Sequence, residues 1–182
     1  MYEVEVKVRA SHDPVRSRLE SAGGTHLGER EQADVYFDAP HRDFAARDEA
    51  LRLREETDPD GTRTVLTYKG PRLEGTTKTR TEHETSVGSR TEMHAALSEL
   101  GFAPAATVEK TRDRYAFEGC TVSLDRVAGL GEFVEVETTV EEDAIDESQE
   151  TVTGTLERLG LDDAERLQMS YLELLAGDSG TH

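Results

Sequence analysis

Three short stretches of this chain set charged residues two apart. Glu3, Glu5 and Lys7 alternate with Val4, Val6 and Val8; Lys110, Arg112 and Arg114 alternate with Thr111, Asp113 and Tyr115; Glu135 and Glu137 alternate with Val134 and Val136. A period of two marks a β-strand, because successive side chains point to opposite faces. Each stretch therefore presents a row of charges on one face. Rows of Arg and Lys can grip phosphate oxygens through charge-assisted hydrogen bonds. Paired Glu side chains can hold Mg²⁺ or Mn²⁺, which take oxygen ligands and the phosphates of a substrate. Acids and bases together fit a strongly anionic ligand carrying divalent cations.

The same parity runs through the other strand candidates. Residues 50–56 and 62–70 flank the turn "DPDG" at 58–61 and predict a hairpin, with Arg52, Arg54, Thr67 and Lys69 on its polar face. Residues 78–87 place Lys78, Arg80, Glu82 and Glu84 together, and 120–126 place Ser123 and Asp125 together. An outer surface laced with ion pairs would explain any one strand. It would not explain why all four lysines of the protein, Lys7, Lys69, Lys78 and Lys110, fall on these faces. A closed barrel does: apolar faces turn outward under helices, and charged faces turn into a wet lumen. Dense charge there is costly unless ligands and metals neutralise it.

Further elements complete the barrel. Residues 26–38 and 106–117 read as strands, and 132–139 as the last. Asp13-Pro14 opens a helix carrying Val15, Leu19 and Ala22, which Gly23-Gly24 stops. Ser89 and Glu92 form a capping box before a helix with Met93, Ala96, Leu97 and Leu100 on one face. Two amphipathic segments close the chain, one carrying Val152, Leu156 and Leu159, the other Ala164, Leu167, Tyr171, Leu174 and Leu175. "GLGEF" at 129–133 leads into a strand and not a helix, so it reads as a tight turn and not a phosphate loop. The expected fold is α+β, an eight-stranded antiparallel β-barrel or tunnel with helices packed outside. Residues 1–176 form a single domain and 177–182 a disordered tail.

Composition limits the function. The net charge is −18, spread along the chain, so nucleic acid is excluded as a partner for want of a basic footprint. No apolar run has the length of a membrane span. Cys120 is the only cysteine, which rules out a disulfide framework, points to a reducing compartment and places the thiol in the core. These features predict a cytoplasmic protein. The acidic, lysine-poor, tryptophan-free composition reads as adaptation to a high-salt cytosol. His12, His26, His41, His83, His94 and His182 show no ligand spacing and read as surface or loop.

The opening Glu3-x-Glu5-x-Lys7 resembles the ExExK motif of the CYTH, or triphosphate tunnel metalloenzyme, superfamily. "LRLRE" at 51–55, "LTYKGP" at 66–71, "TRTEHET" at 79–85, "VEKTRDRY" at 108–115 and "SLDRVAGLGEFVEVE" at 123–137 resemble its later strands in order. "SYLELL" at 170–175 resembles the closing helix of its class IV adenylyl cyclase branch. The resemblance implies metal binding by Glu3, Glu5, Glu135 and Glu137 with Asp125 nearby. It implies triphosphate binding by Lys7, Arg52, Arg54, Lys69, Arg80, Lys110 and Arg112, with Lys7, Lys69, Lys110 and Arg112 as the catalytic set. Lys78, Glu82, Glu84, Arg9 and Arg114 receive no role. The implied cofactor is Mg²⁺ or Mn²⁺, and the assembly is compatible with a homodimer. The branch implies conversion of ATP to cyclic AMP and pyrophosphate. The alternative is a triphosphatase hydrolysing inorganic triphosphate, thiamine triphosphate or a nucleoside triphosphate; a third reading is a non-catalytic polyphosphate-binding module.

Overall fold

The computed structural model describes residues 1–75 and 77–178, the last as backbone alone. Among them lie eight strands: β1 (Tyr2–Arg9), β2 (Thr25–Asp38), β3 (Ala50–Asp58), β4 (Gly61–Lys69), β5 (Lys78–Val87), β6 (Ala103–Phe117), β7 (Cys120–Val127) and β8 (Gly131–Val140). They close into one antiparallel barrel in the order β1-β5-β4-β3-β2-β6-β7-β8. Closure leaves no unpaired edge. The helices are α1 (His12–Ser21), α2 (Arg90–Glu99), α3 (Ile145–Arg158) and α4 (Tyr171–Asp178), with a 3₁₀ turn at Glu142–Ala144. None is long and apolar enough to cross a membrane.

Local chemistry sets the corners. The β3–β4 hairpin pairs Asp58 with Gly61 across a two-residue turn. Between β7 and β8, Gly129 (φ 81°) and Gly131 (φ 101°) take left-handed backbone that a side chain would strain, so "GLGEF" is a turn. Ser89 caps α2, its side chain accepting from the Glu92 N–H. Ser170 and Glu173 form a second, reciprocal box: Ser170 Oγ accepts from Glu173 N, and Glu173 Oε2 accepts from Ser170 N.

The apolar faces turn outward, as the parity requires. Val4, Val6 and Val8 of β1 pack with Val15 and Leu19 of α1 and with Val152, Leu156 and Leu159 near α3. Cys120 belongs to that core. On the other side Leu97 of α2 covers Val35, Phe37 and Leu53. A third cluster sets Val108, Val127 and Phe133, which share the strand parity of the charged rows, against Tyr171 of α4 at one end of the lumen.

Three expectations need correction. The segment carrying Ala164 and Leu167 has helical spacing, but it makes a turn at 162–164 and then runs as a non-helical strap, and the chain is helical only from Tyr171. Tertiary contact overrides the local pattern: Leu167 N donates to Lys7 O, and Arg166 bridges to Val8. The helix then continues through Gly177 to Asp178, into the expected tail; residues 179–182, with His182, lie outside those described. His12 is no surface group. It is buried in α1, with Nε2 3.0 Å from the Phe133 carbonyl.

Candidate functional site

The lumen holds a cavity of about 400 Å³. All four lysines line it, with Glu3, Glu5, Arg52, Arg54, Arg80, Arg112, Glu135 and Glu137. Asp125 is fully buried in its wall. Arg9 leaves the lumen at the strand end, where it lies over the Phe133 ring and donates to Leu130 O.

Strand register gathers three acids. Glu3 and Glu5 sit two apart on β1, and Glu5 faces Glu137 across β8. Carboxylate oxygens of Glu3, Glu5 and Glu137 lie within 4.8 Å of one another. Withdrawal from water, then the charge of Glu3, pushes the Glu137 carboxyl up to about 8. Glu5 Oε1 is buried without a hydrogen-bond partner among the described residues. Lysines are the nearest cations, Lys69 at 2.5 Å from Glu3, Lys7 and Lys78 at 3.8 Å from Glu5. An all-oxygen set with an orphaned acceptor and a carboxyl that burial and a neighbouring negative charge raise fits a hard divalent ion.

The other two acids expected at the metal, Glu135 and Asp125, stand elsewhere. Arg112 donates to both oxygens of Asp125, Nε at 2.7 Å and Nη2 at 2.6 Å, and from Nη2 to Glu135 at 2.5 Å. Lys7 lies 3.3 Å from Glu135 and Lys110 3.5 Å from Asp125. Burial opposes these charges, but Arg112 and the lysines outweigh it, holding both carboxyls below the usual range. Asp34 does for Arg54 what Asp125 does for Arg112, through bonds of 2.6 and 2.7 Å.

The basic wall contains cations with spare donors. Arg52 lies 3.9 Å from Asp34, and Arg80 3.3 Å from Asp48. Nε of Arg52, Arg80 and Arg114 is buried with no hydrogen-bond partner among the described residues. Burial brings Lys78 and Lys110 down to about 8, only partly offset by Glu5 and Asp125. Lys69 goes the other way: burial opposes its charge, and Glu3 and Glu82 raise it.

A family model, the CYTH domain, matches residues 1–171. This chain belongs to the CYTH family. It is 35% identical over 176 residues to a Methanocaldococcus jannaschii protein named "Putative adenylate cyclase MJ0240", covering 96% of this chain and 98% of that one. It is 27% identical over 179 residues to "Adenylate cyclase CyaB" of Aeromonas hydrophila, covering 95% and 88%. The solved structure of the PH1819 protein from Pyrococcus horikoshii OT3 matches at a TM-score of 0.88 and 37% identity, over 97% of this chain and 99% of that one.

The CYTH lumen also contains residues the charge rows missed. Arg30, Gln32 and Tyr36 of β2 line it, and Asp34 is buried in the same strand. Glu56 accepts from Gln32 at 2.7 Å and Arg30 at 3.0 Å, and pairs with Arg63. The signal existed: these β2 residues share one parity, obscured by Glu29 and Glu31 on the other face. Tyr171 enters from α4, and nothing in its helical spacing marks it as a lumen residue.

Proposed function

We propose that this protein is a divalent-ion-dependent adenylate cyclase that converts ATP to cyclic AMP and pyrophosphate. The observation that carries the triphosphate chemistry is the division of the lumen into two parts. Three carboxylates converge at Glu3, Glu5 and Glu137, and Lys and Arg donors surround them. The names of the two relatives support the cyclase outcome. Glu3, Glu5 and Glu137 would hold Mg²⁺ or Mn²⁺, which would polarise phosphate oxygens when bound. Lys7, Arg52, Lys69, Arg80 and Lys110 would neutralise the triphosphate, and Arg112 and Arg54, held rigid by Asp125 and Asp34, would add fixed donors. Catalysis then rests on positioning and preorganised charge. The ribose 3′-oxygen bonds to the α-phosphorus, the bond from that phosphorus to the β-phosphate bridge breaks, a proton is released, and pyrophosphate leaves along the basic wall.

A triphosphatase would differ in its attacker, water at the γ-phosphorus. Product analysis tests the reading: ATP and inorganic triphosphate, each with Mg²⁺ or Mn²⁺, resolved by chromatography. Cyclic AMP with pyrophosphate is the expected result. Orthophosphate would replace the cyclase by the triphosphatase, and unchanged substrates that still bind would leave a polyphosphate-binding module.

A further inference from the structure

The lumen also receives a side chain from α4. Tyr171, in the first turn of α4, is buried where the apolar end of the lumen meets the charged cradle. Its ring meets Phe133 edge-on, centroids 5.1 Å apart at 62°. The Lys7 ammonium lies 4.0 Å from the ring centroid and the Lys110 ammonium 4.8 Å. The hydroxyl donates to Asp125 Oδ2 at 2.7 Å, the oxygen that also accepts from Arg112 Nη2. Burial, then the charges of Glu135 and Asp125, holds the phenol well above its ordinary value, so it remains a donor.

One side chain thus touches two lysines and the carboxylate that orients an arginine. Each lysine also has a buried ion pair, Lys7 with Glu135 at 3.3 Å and Lys110 with Asp125 at 3.5 Å, so the ring and a carboxylate hold each ammonium together. A cation over an aromatic face is attracted most strongly when both are out of water. The ring is itself fixed from three directions. The strap before it is tied to β1 by Leu167 N to Lys7 O at 2.8 Å. Arg72 Nη1 donates to Gln168 O at 2.6 Å. The Ser170–Glu173 box sets where the helix begins.

We propose that Tyr171 is a positioning residue of the triphosphate cradle: its ring holds Lys7 and Lys110, and its hydroxyl holds Asp125 and, through it, Arg112. The inference rests on the reading of the lumen as a triphosphate site. The probe is inorganic triphosphate, its affinity measured by calorimetry for wild type, Tyr171→Phe and Tyr171→Leu, beside thermal melts. Turnover is followed in whichever product the wild type forms.

Tyr171→Phe keeps the ring and should bind triphosphate within about threefold of wild type, while turnover falls about tenfold for the lost hydroxyl. Tyr171→Leu loses the ring and should bind about tenfold or more weakly, as expected for a desolvated cation–π contact. A packing role alone would lower both melting temperatures and leave the affinity of the folded protein unchanged. Wild-type affinity in folded Tyr171→Leu overturns the proposal, and wild-type turnover in Tyr171→Phe does so even where the leucine variant fails to fold. Failure of the wild type to bind triphosphate at all would overturn the functional reading itself, a result distinct from either.

Discussion

Two groups of carboxylates share the lumen and are partnered differently. Asp34, Asp125 and Glu135 each receive guanidinium hydrogen bonds of 2.5 to 2.7 Å, and all three are held below the usual carboxyl range. Glu3, Glu5 and Glu137 receive no arginine hydrogen bond among the described residues; they crowd one another, and Glu137 is pushed up to about 8. Burial costs both groups. In the first a fixed cation offsets it, because bidentate guanidinium geometry matches the carboxylate. In the second the built-in cations are lysines, Lys69 at 2.5 Å from Glu3 and Lys7 and Lys78 at 3.8 Å from Glu5, and among the described residues none pairs with Glu137. The first group therefore orients arginines, and the second has room for a countercharge that arrives with substrate.

The largest expected effects come from breaking each group once. Asp34→Asn leaves the buried Arg54 without its countercharge, and removal of one partner from such a pair costs about 3 kcal/mol or more. For a chain of this length the melting temperature should fall by about 10 °C. Glu137→Gln relieves crowding, so in metal-free buffer at pH 9 it should melt above wild type. Its Mg²⁺ affinity and turnover should fall at least about 100-fold, the upper end of what outer-shell changes already cost a metal site. Melts and Mg²⁺ titrations of both variants decide the matter. If Glu137→Gln melts lower and binds Mg²⁺ normally, the two groups do not differ in the way described.

A middle-sized effect separates lumen from surface. At −18 net charge the protein repels itself, and screening strengthens from a Debye length of about 30 Å at 0.01 M salt to about 3 Å at 1 M. Molar KCl should raise the melting temperature of wild type and Glu137→Gln alike, because it acts on exposed charge. Millimolar Mg²⁺ in constant KCl should raise wild type alone, by mass action at a specific site. An equal Mg²⁺ response in both proteins would assign the stabilisation to the acidic surface. A flat response to KCl would remove the high-salt reading of the composition.

Much of this division was legible in the sequence, but not all. Parity alone put all four lysines and the Arg52, Arg54 and Arg112 side chains in the lumen, because β-strand alternation is a local rule. Parity could not tell Glu135 from Glu137, which share a face. Register does: Glu137 falls opposite Glu5, and Glu135 opposite Lys7, one step along the barrel. Asp34 was missed for a similar reason, since its meaning comes from Arg54 across the β2–β3 register. The strap before α4 kept helical spacing while obeying a bond to Lys7, a tertiary contact that no local pattern encodes. The Ser170–Glu173 capping box, which marks where that helix starts, was missed as well.

The smallest effect tests the basic wall by pH. Burial brings the Lys110 ammonium down to about 8, against 10.5 for its ordinary value. Below pH 8 both folded and unfolded chains carry that proton, and the full cost of the buried charge is present. Between about 8 and 10.5 the unfolded chain binds more protons than the folded one, so this group makes stability rise with pH. The slope is at most about 1.4 kcal/mol per pH unit. Other groups titrate in the same range, so the measurement is a difference: melting temperature against pH for wild type minus that for Lys110→Met. The difference should close by a few degrees between pH 8 and 10. Saturating triphosphate should abolish this trend, because an anion beside Lys110 restores its proton and removes the cost. A pH-independent difference without triphosphate would mean that the Lys110 ammonium already has all the countercharge it needs, and that this part of the wall is not waiting for an anion.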